Sequence, residues 1–174
     1  MGYSATTSLF LCAPPWILGT ATSFVVARHS DVTGDRLWHI IGPLLVGIAG
    51  FILAISTMNT TVRYISLFLM TQSPVALAVS LTWVMNTFSQ SQSKRAAAIA
   101  LTNSMASAGF VSSSYFWPSS WGPSYVNSYL LCILTSVACI AMCWVFREHL
   151  SRCNEAAEAE ERIIGLPKGF RFIL

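Results

Sequence analysis

With 54% hydrophobic residues, 10% charged residues and a mean hydropathy of +0.60 over 174 residues, the chain is too apolar for a water-soluble domain, where about a quarter of residues carry charge. The net charge of +3 is small and unevenly placed, which argues against a nucleic-acid surface and makes the positions of the charges informative about membrane orientation. Residues 1–27, 37–62, 64–93 and 96–146 contain no Asp, Glu, Lys or Arg. A bilayer core of roughly 30 Å takes about 20 apolar residues per helix, so an all-α membrane protein is predicted. Its five transmembrane helices fall at about 8–27, 37–57, 62–86, 96–116 and 125–146. An outer segment, 1–7, precedes them and a cytoplasmic tail, 147–174, follows.

Arg28 and Arg36, Lys94 and Arg95, and Arg147 and Arg152 lie at alternate connections. By the positive-inside rule those connections are cytoplasmic, the N-terminus is outside and the C-terminus inside. The start at Met1 shows neither a basic stretch nor a small-residue cleavage site, so no signal peptide is expected. An outer N-terminus without one, ahead of five spans, is the pattern expected of a truncated piece of a longer protein.

The first predicted helix carries Pro14 and Pro15, then Gly19, Ser23 and Ala27 at four-residue intervals, a small stripe that lets another helix approach closely. The polar loop after it holds Asp31, Asp35 and Arg36. It reads either as a solvated turn or as a charge motif that locks the neighbouring helix ends and caps a helix N-terminus. The second helix opens with Trp38 and His39, suited to the membrane interface, and continues through Gly42, Pro43, Gly47 and Gly50. Asn59-Thr60-Thr61 forms a glycosylation sequon close to the expected outer surface.

The third helix is the most polar. Gln72, Ala76, Val79, Ser80, Trp83 and Asn86 share a face at helical spacing, and Pro74 is expected to kink it. Unpaired amides are costly in lipid, so this face should look inward, to bond other helices or to line a polar cavity. The fourth helix follows Lys94 and Arg95. Its small residues Ala96, Ala100, Ser104, Ala108 and Ser112 recur every four, and a second face carries Asn103, Ser107, Phe110, Ser114 and Trp117. One face suits packing and the other a cavity. The fifth is bulky and apolar from Leu130 to Phe146 and reads as lipid-facing. Beyond Arg147, Glu155, Glu158, Glu160 and Glu161 among alanines suggest a helix that continues into the cytoplasm and frays before Gly165 and Pro167.

Cys12, Cys132, Cys139, Cys143 and Cys153 form no metal-type spacing and read as small packing residues. His29, His39 and His149 lie near expected cytoplasmic ends without a nucleophile or carboxylate at recognised spacing, His39 with Asp35 coming nearest. No catalytic residue, metal ligand or cofactor is assigned, and no enzyme activity is expected.

Five stretches in order resemble a known family. They are Gly2-Tyr3-Ser4-Ala5-Thr6 with Ala13-Pro14-Pro15; Ser30-Asp31 leading to Arg36-Leu37-Trp38-His39; Pro43-Leu44-Leu45-Val46-Gly47; Lys94-Arg95-Ala96 with Ala98-Ile99-Ala100 and Asn103-Ser104; and Phe170-Arg171-Phe172-Ile173-Leu174. Together they are similar to the C-terminal half of fungal major facilitator superfamily transporters of the anion:cation symporter, allantoate permease-like family. The resemblance implies a partial major facilitator fold, with these helices equivalent to the eighth to twelfth. It also implies a plasma-membrane location and helices one, three and four bordering the cavity, with two and five facing lipid. One departure stands at Val32, where the family supplies a basic residue directly after Ser-Asp.

The function so implied is that of a fragment of a secondary carrier for small organic anions of the allantoate, ureido acid or vitamin-like carboxylate class. Gln72, Trp83, Asn86, Asn103 and Phe110 are the candidate substrate contacts, and Gly19, Ser23, Ala100, Ser104 and Ala108 the helix-packing positions. No acidic or basic residue lies deep in a span, so proton coupling and anion pairing would belong to the missing half, and the fragment alone should not transport. The alternative is a small structural or regulatory membrane protein that associates with a full-length carrier. The expected partners are the lipid bilayer, the organic anion and another carrier helix, with no nucleic acid.

Overall fold

The computed structural model describes residues 5–164 and 169–173. Gly2, Tyr3, Ser4, Gly165, Pro167 and Leu174, which figured in the sequence reading, lie outside the described residues. Among those described there is no strand. The helices are α1, Ala5–Thr33; α2, Leu37–Ser56; α3, Thr60–Met70; α4, Ser73–Thr87; α5, Gln92–Ser113; and α6, Val126–Ile164. Two short 3-10 turns, Ser114–Phe116 and Ser119–Trp121, connect α5 to α6.

Four stretches among the described residues are long and apolar enough to cross a bilayer: Thr6–Thr33, Leu37–Ser56, Thr60–Thr87 and Val126–Ile164. The protein is an all-α membrane protein. The fourth helix expected from sequence forms as α5 with ample length, but Ser, Thr, Asn and Gln punctuate it, and it does not reach the apolarity of the other four.

α3 and α4 are one span interrupted at Thr71 and Gln72. The cause is Pro74 in the first turn of α4, where the absent N–H costs nothing because no intrahelical partner exists there. The broken turn is secured sideways: the Thr71 hydroxyl donates to the carbonyl of Pro15 at 3.1 Å. Gly19 lies at the same crossing, and a Cβ there would stand 2.8 Å from the Thr71 carbonyl oxygen. Proline in α1 and glycine one turn later thus let α1 lie directly on the break.

α2 is the centre of the bundle, in contact with α3, α4 and α6. Its buried residues, Leu37, Ile40, Ile41, Leu44, Gly47, Gly50 and Ala54, recur every three or four positions, the stripe of a helix enclosed on one side. One side of α2 is thus enclosed closely by its neighbours, while Trp38, Leu45, Val46 and Ile52 stay exposed on the rest of it. The physical reason is size. A Cβ on Gly50 would fall 2.8 Å from Leu69 Cβ and 2.9 Å from the Met70 nitrogen, so glycine lets α3 approach α2 backbone to backbone. Leu37, Ile40, Ile41, Leu44, Ala76, Val79, Trp83 and Leu150 form one core cluster at the end of the bundle where α1 meets α2.

α6 contributes Ser128, Ser136 and Leu150 to the interior and otherwise keeps bulky residues such as Leu134, Met142 and Val145 exposed. α5 buries no residue at all. Leu101, Met105, Phe110 and Val111 project from it, and it touches the bundle mainly beside α4.

Candidate functional site

The charge motif after α1 folds into a compact knot. Arg36 is nearly enclosed, and its guanidinium pairs with Asp31 at 2.6 Å and donates to the Ser30 hydroxyl at 3.1 Å. Ser30 in turn donates to the backbone carbonyl of Asp35 at 3.1 Å. Both contacts come from one guanidinium nitrogen, Nη1, which has two N–H groups to give. Asp35 enters through its backbone and not its carboxylate, and α2 begins without a side-chain cap, which corrects the expectation that all three charges lock and cap the helix ends. The turn at Gly34 has φ +70°, so its sharpness comes from backbone freedom.

His39 extends the knot. Its Nδ1 lies 2.6 Å from the Asp35 carbonyl oxygen and its Nε2 lies 2.6 Å from His29 Nδ1. A carbonyl only accepts, so His39 Nδ1 carries a proton; in the neutral ring Nε2 then accepts from the His29 Nδ1–H. α1 and α2 are therefore tied by an ion pair on one side and an imidazole pair on the other.

At the same end, the described part of the tail folds back on the bundle. Asn154 holds Phe172 through both backbone groups: the amide nitrogen of Asn154 donates to the Phe172 carbonyl at 3.0 Å, and the Phe172 N–H donates to Asn154 Oδ1 at 2.8 Å. Trp83 Nε1 donates to the Ile173 carbonyl at 2.8 Å, while its ring meets Phe146 edge-on at 5.0 Å. Glu161 accepts from Arg171 and from the Gly169 N–H, and this carboxylate holds the Arg171 guanidinium above its ordinary range. Between the tail, the end of α4, the start of α5 and α6 lies a cavity of about 350 Å³.

Replacing Asn154 with Ala removes both bonds to Phe172. Hydrogen exchange read at the Phe172 amide should then accelerate by about tenfold or more, since two bonds near 1 kcal/mol each are lost, while amides of α2 stay unchanged. Equal protection in the variant would show that the tail is held without Asn154.

At the opposite end Arg63 reaches across the bundle, donating to the carbonyls of Thr57 at 3.2 Å, Pro123 at 3.3 Å and Ser124 at 3.1 Å. Trp117 stacks against Tyr125 and Tyr129 nearby. Asn59 caps the start of α3, its side chain accepting from the Thr61 N–H at 2.9 Å.

The five candidate substrate contacts fall in three different settings. Gln72 is buried at the break between α3 and α4, where its Nε2 donates to the Phe68 carbonyl at 3.1 Å and its Oε1 has no partner among the described residues. Trp83 lies in the core under the tail. Asn86 is half-buried on the last turn of α4, and Asn103 and Phe110 stand exposed on α5. Of the packing positions, Gly19 meets Thr71, Ser23 is half-buried on α1, and Ala100, Ser104 and Ala108 are exposed.

The Asn154 contact with Phe172 and the grip of Arg63 on Pro123 and Ser124 join residues 18, 60 and 61 positions apart in the chain, and no local motif announces them. The charge of Arg63 just inside an otherwise uncharged end was the signal available. No group of three or more His, Cys, Asp or Glu side chains among the described residues could hold a metal ion.

A Schizosaccharomyces pombe protein described as an uncharacterized transporter is 32% identical over 87 residues, 49% of this chain and 18% of its own length. Two Agrobacterium vitis proteins named provisionally as tartrate transporters are 33% identical over 108 residues and 36% identical over 102 residues. They match 62% and 58% of this chain, and 24% and 23% of their own lengths. The chain is similar to membrane transporters. It matches a quarter or less of the length of each of these relatives. No family model and no solved structure matches it. A transporter-like, integral membrane character is what the matches and the apolar helices establish together.

Proposed function

We propose that the chain is part of a secondary carrier for small organic anions, of the anion:cation symporter type in the major facilitator superfamily, and that it does not transport by itself. The observation that carries this reading is α5. A helix of 22 residues with small residues on one face and Asn103 and Phe110 on another buries none of them, and such a helix gains its stability in a membrane by close packing and interhelical hydrogen bonds. Its exposed faces suit further helices on one side and a substrate passage on the other. The relatives named for tartrate, a small dicarboxylate, favour the anion class, although ureido acids and vitamin-like carboxylates fit equally.

In this reading Asn103 and Phe110 contact substrate, with Gln72 and Asn86 nearer the bundle and Trp83 supporting them from beneath. The ends bearing Arg36, Lys94 and Arg147 face the cytoplasm, in the plasma membrane. The coupling proton moves through residues outside this chain, because α1 to α5 present no carboxylate within the apolar runs.

The test is uptake by a chimera in which residues 5–164 replace the matching segment of an A. vitis relative. Labelled tartrate uptake should be competed by small carboxylates and should fall by about tenfold in Asn103→Ala, the loss of a polar contact of about 1.4 kcal/mol. Competition by neutral sugars but not by carboxylates would overturn the substrate class. Unchanged uptake in Asn103→Ala would remove that residue from the passage.

A further inference from the structure

The cavity between α4, α5, α6 and the tail has a divided lining. Phe146, Leu150, Phe170 and Phe172 make an apolar floor, whereas Lys94, His149, Ser91 and Gln90 stand at its polar side. Lys94 has no ion pair among the described residues, and no acidic side chain lines the cavity. The acidic side chains closest in sequence to the α6 residues of the cavity are engaged elsewhere: Glu148 pairs with Arg152, and Glu155 accepts from the Ser151 hydroxyl. Both transitions from apolar to charged sequence, at Lys94 on α5 and at Arg147 on α6, occur at this level, so the cavity straddles the boundary between hydrocarbon and headgroups.

We propose that this cavity binds one anionic phospholipid, its phosphate against Lys94 and His149 and the first methylenes of an acyl chain against Phe146, Leu150 and Phe172. A free phosphate would leave the aromatic floor unused, and a zwitterionic headgroup would bring its own cation toward Lys94. Basic pockets between membrane helices select acidic headgroups for the same reason. The tail, pinned by Asn154 and Trp83, supplies the outer wall, so lipid and tail stabilise each other.

The experiment is native mass spectrometry of the full chain in detergent with phosphatidylglycerol, phosphatidylcholine of the same acyl chains, or inorganic phosphate. Phosphatidylglycerol should be retained about fivefold over phosphatidylcholine, the effect of one lysine near an anionic headgroup. The preference should vanish in Lys94→Gln and persist in Lys94→Arg; Lys94 is exposed, and helicity by circular dichroism confirms the fold. Equal retention of the two lipids, or an unchanged preference in Lys94→Gln, would overturn the proposal. So would displacement of phosphatidylglycerol by millimolar inorganic phosphate, which would mark a phosphate site without a lipid chain.

Discussion

Gly50→Ala should lower the thermal stability of the chain in detergent, whereas Gly42→Ala should not. A Cβ at this position would meet Leu69 Cβ at 2.8 Å, the Met70 nitrogen at 2.9 Å and the Ser66 carbonyl oxygen at 3.0 Å. Two of these three atoms are backbone, so no side-chain rotation relieves the overlap and α2 and α3 must move apart. Overpacking of this kind costs about 1 to 3 kcal/mol, against a gain of about 1 kcal/mol from replacing glycine in a helix. The net effect is destabilising because α2 lies at the centre and a displaced α3 also disturbs α1 at Thr71. Gly42→Ala is the internal control. Nothing lies within 4 Å of its added Cβ, so only the helix-propensity gain remains. The free cysteines, with Cys139 and Cys143 packed against the core, allow both variants to be followed by thiol-reactive dye on heating. Midpoints ordered Gly42→Ala at or above wild type, and Gly50→Ala well below, are the expected result. An unchanged midpoint for Gly50→Ala would mean that α2 and α3 are not in contact at this level.

The second large effect is expected at Arg36. Removing its side chain by Arg36→Ala breaks the pair with Asp31 and the bond to Ser30 in one step. Asp31 is more than half exposed and rehydrates, so the cost stays below that of a fully buried pair. Ser30 has no such outlet because it is completely enclosed. A hydrogen bond to a charged group contributes about 1.5 to 3 kcal/mol, and a loss of about 2 kcal/mol is expected by the same melting assay. Arg36→Lys should recover less than half of it, since lysine is one atom shorter and its ammonium falls short of the position from which the single nitrogen Nη1 serves both Ser30 and Asp31. Full recovery by lysine would reduce the motif to a point charge.

These two sites show what could and could not be read from residue order. The uncharged runs mark where helices lie because solvent demands it, and Pro74 marks the break in the third span because its ring and missing N–H act locally. Arg36 and Asp31 are five residues apart, close enough for their pairing to be anticipated. The central position of α2 was hidden: Gly47 and Gly50 announce a close approach but not the helix that makes it. The same holds for Trp83, whose polar tip is satisfied by Ile173, ninety positions away. α5 presents the converse case. Its small stripe was legible as a packing face, yet among the described residues nothing buries it.

That uncovered helix is the basis for reading the chain as one part of a carrier, and uptake into proteoliposomes containing only these 174 residues tests the reading most directly. With an inward proton gradient and labelled tartrate, accumulation should equal that of protein-free vesicles, because on this reading the passage needs a second repeat to move against this one. Saturable accumulation above that background, abolished by Asn103→Ala, would contradict it.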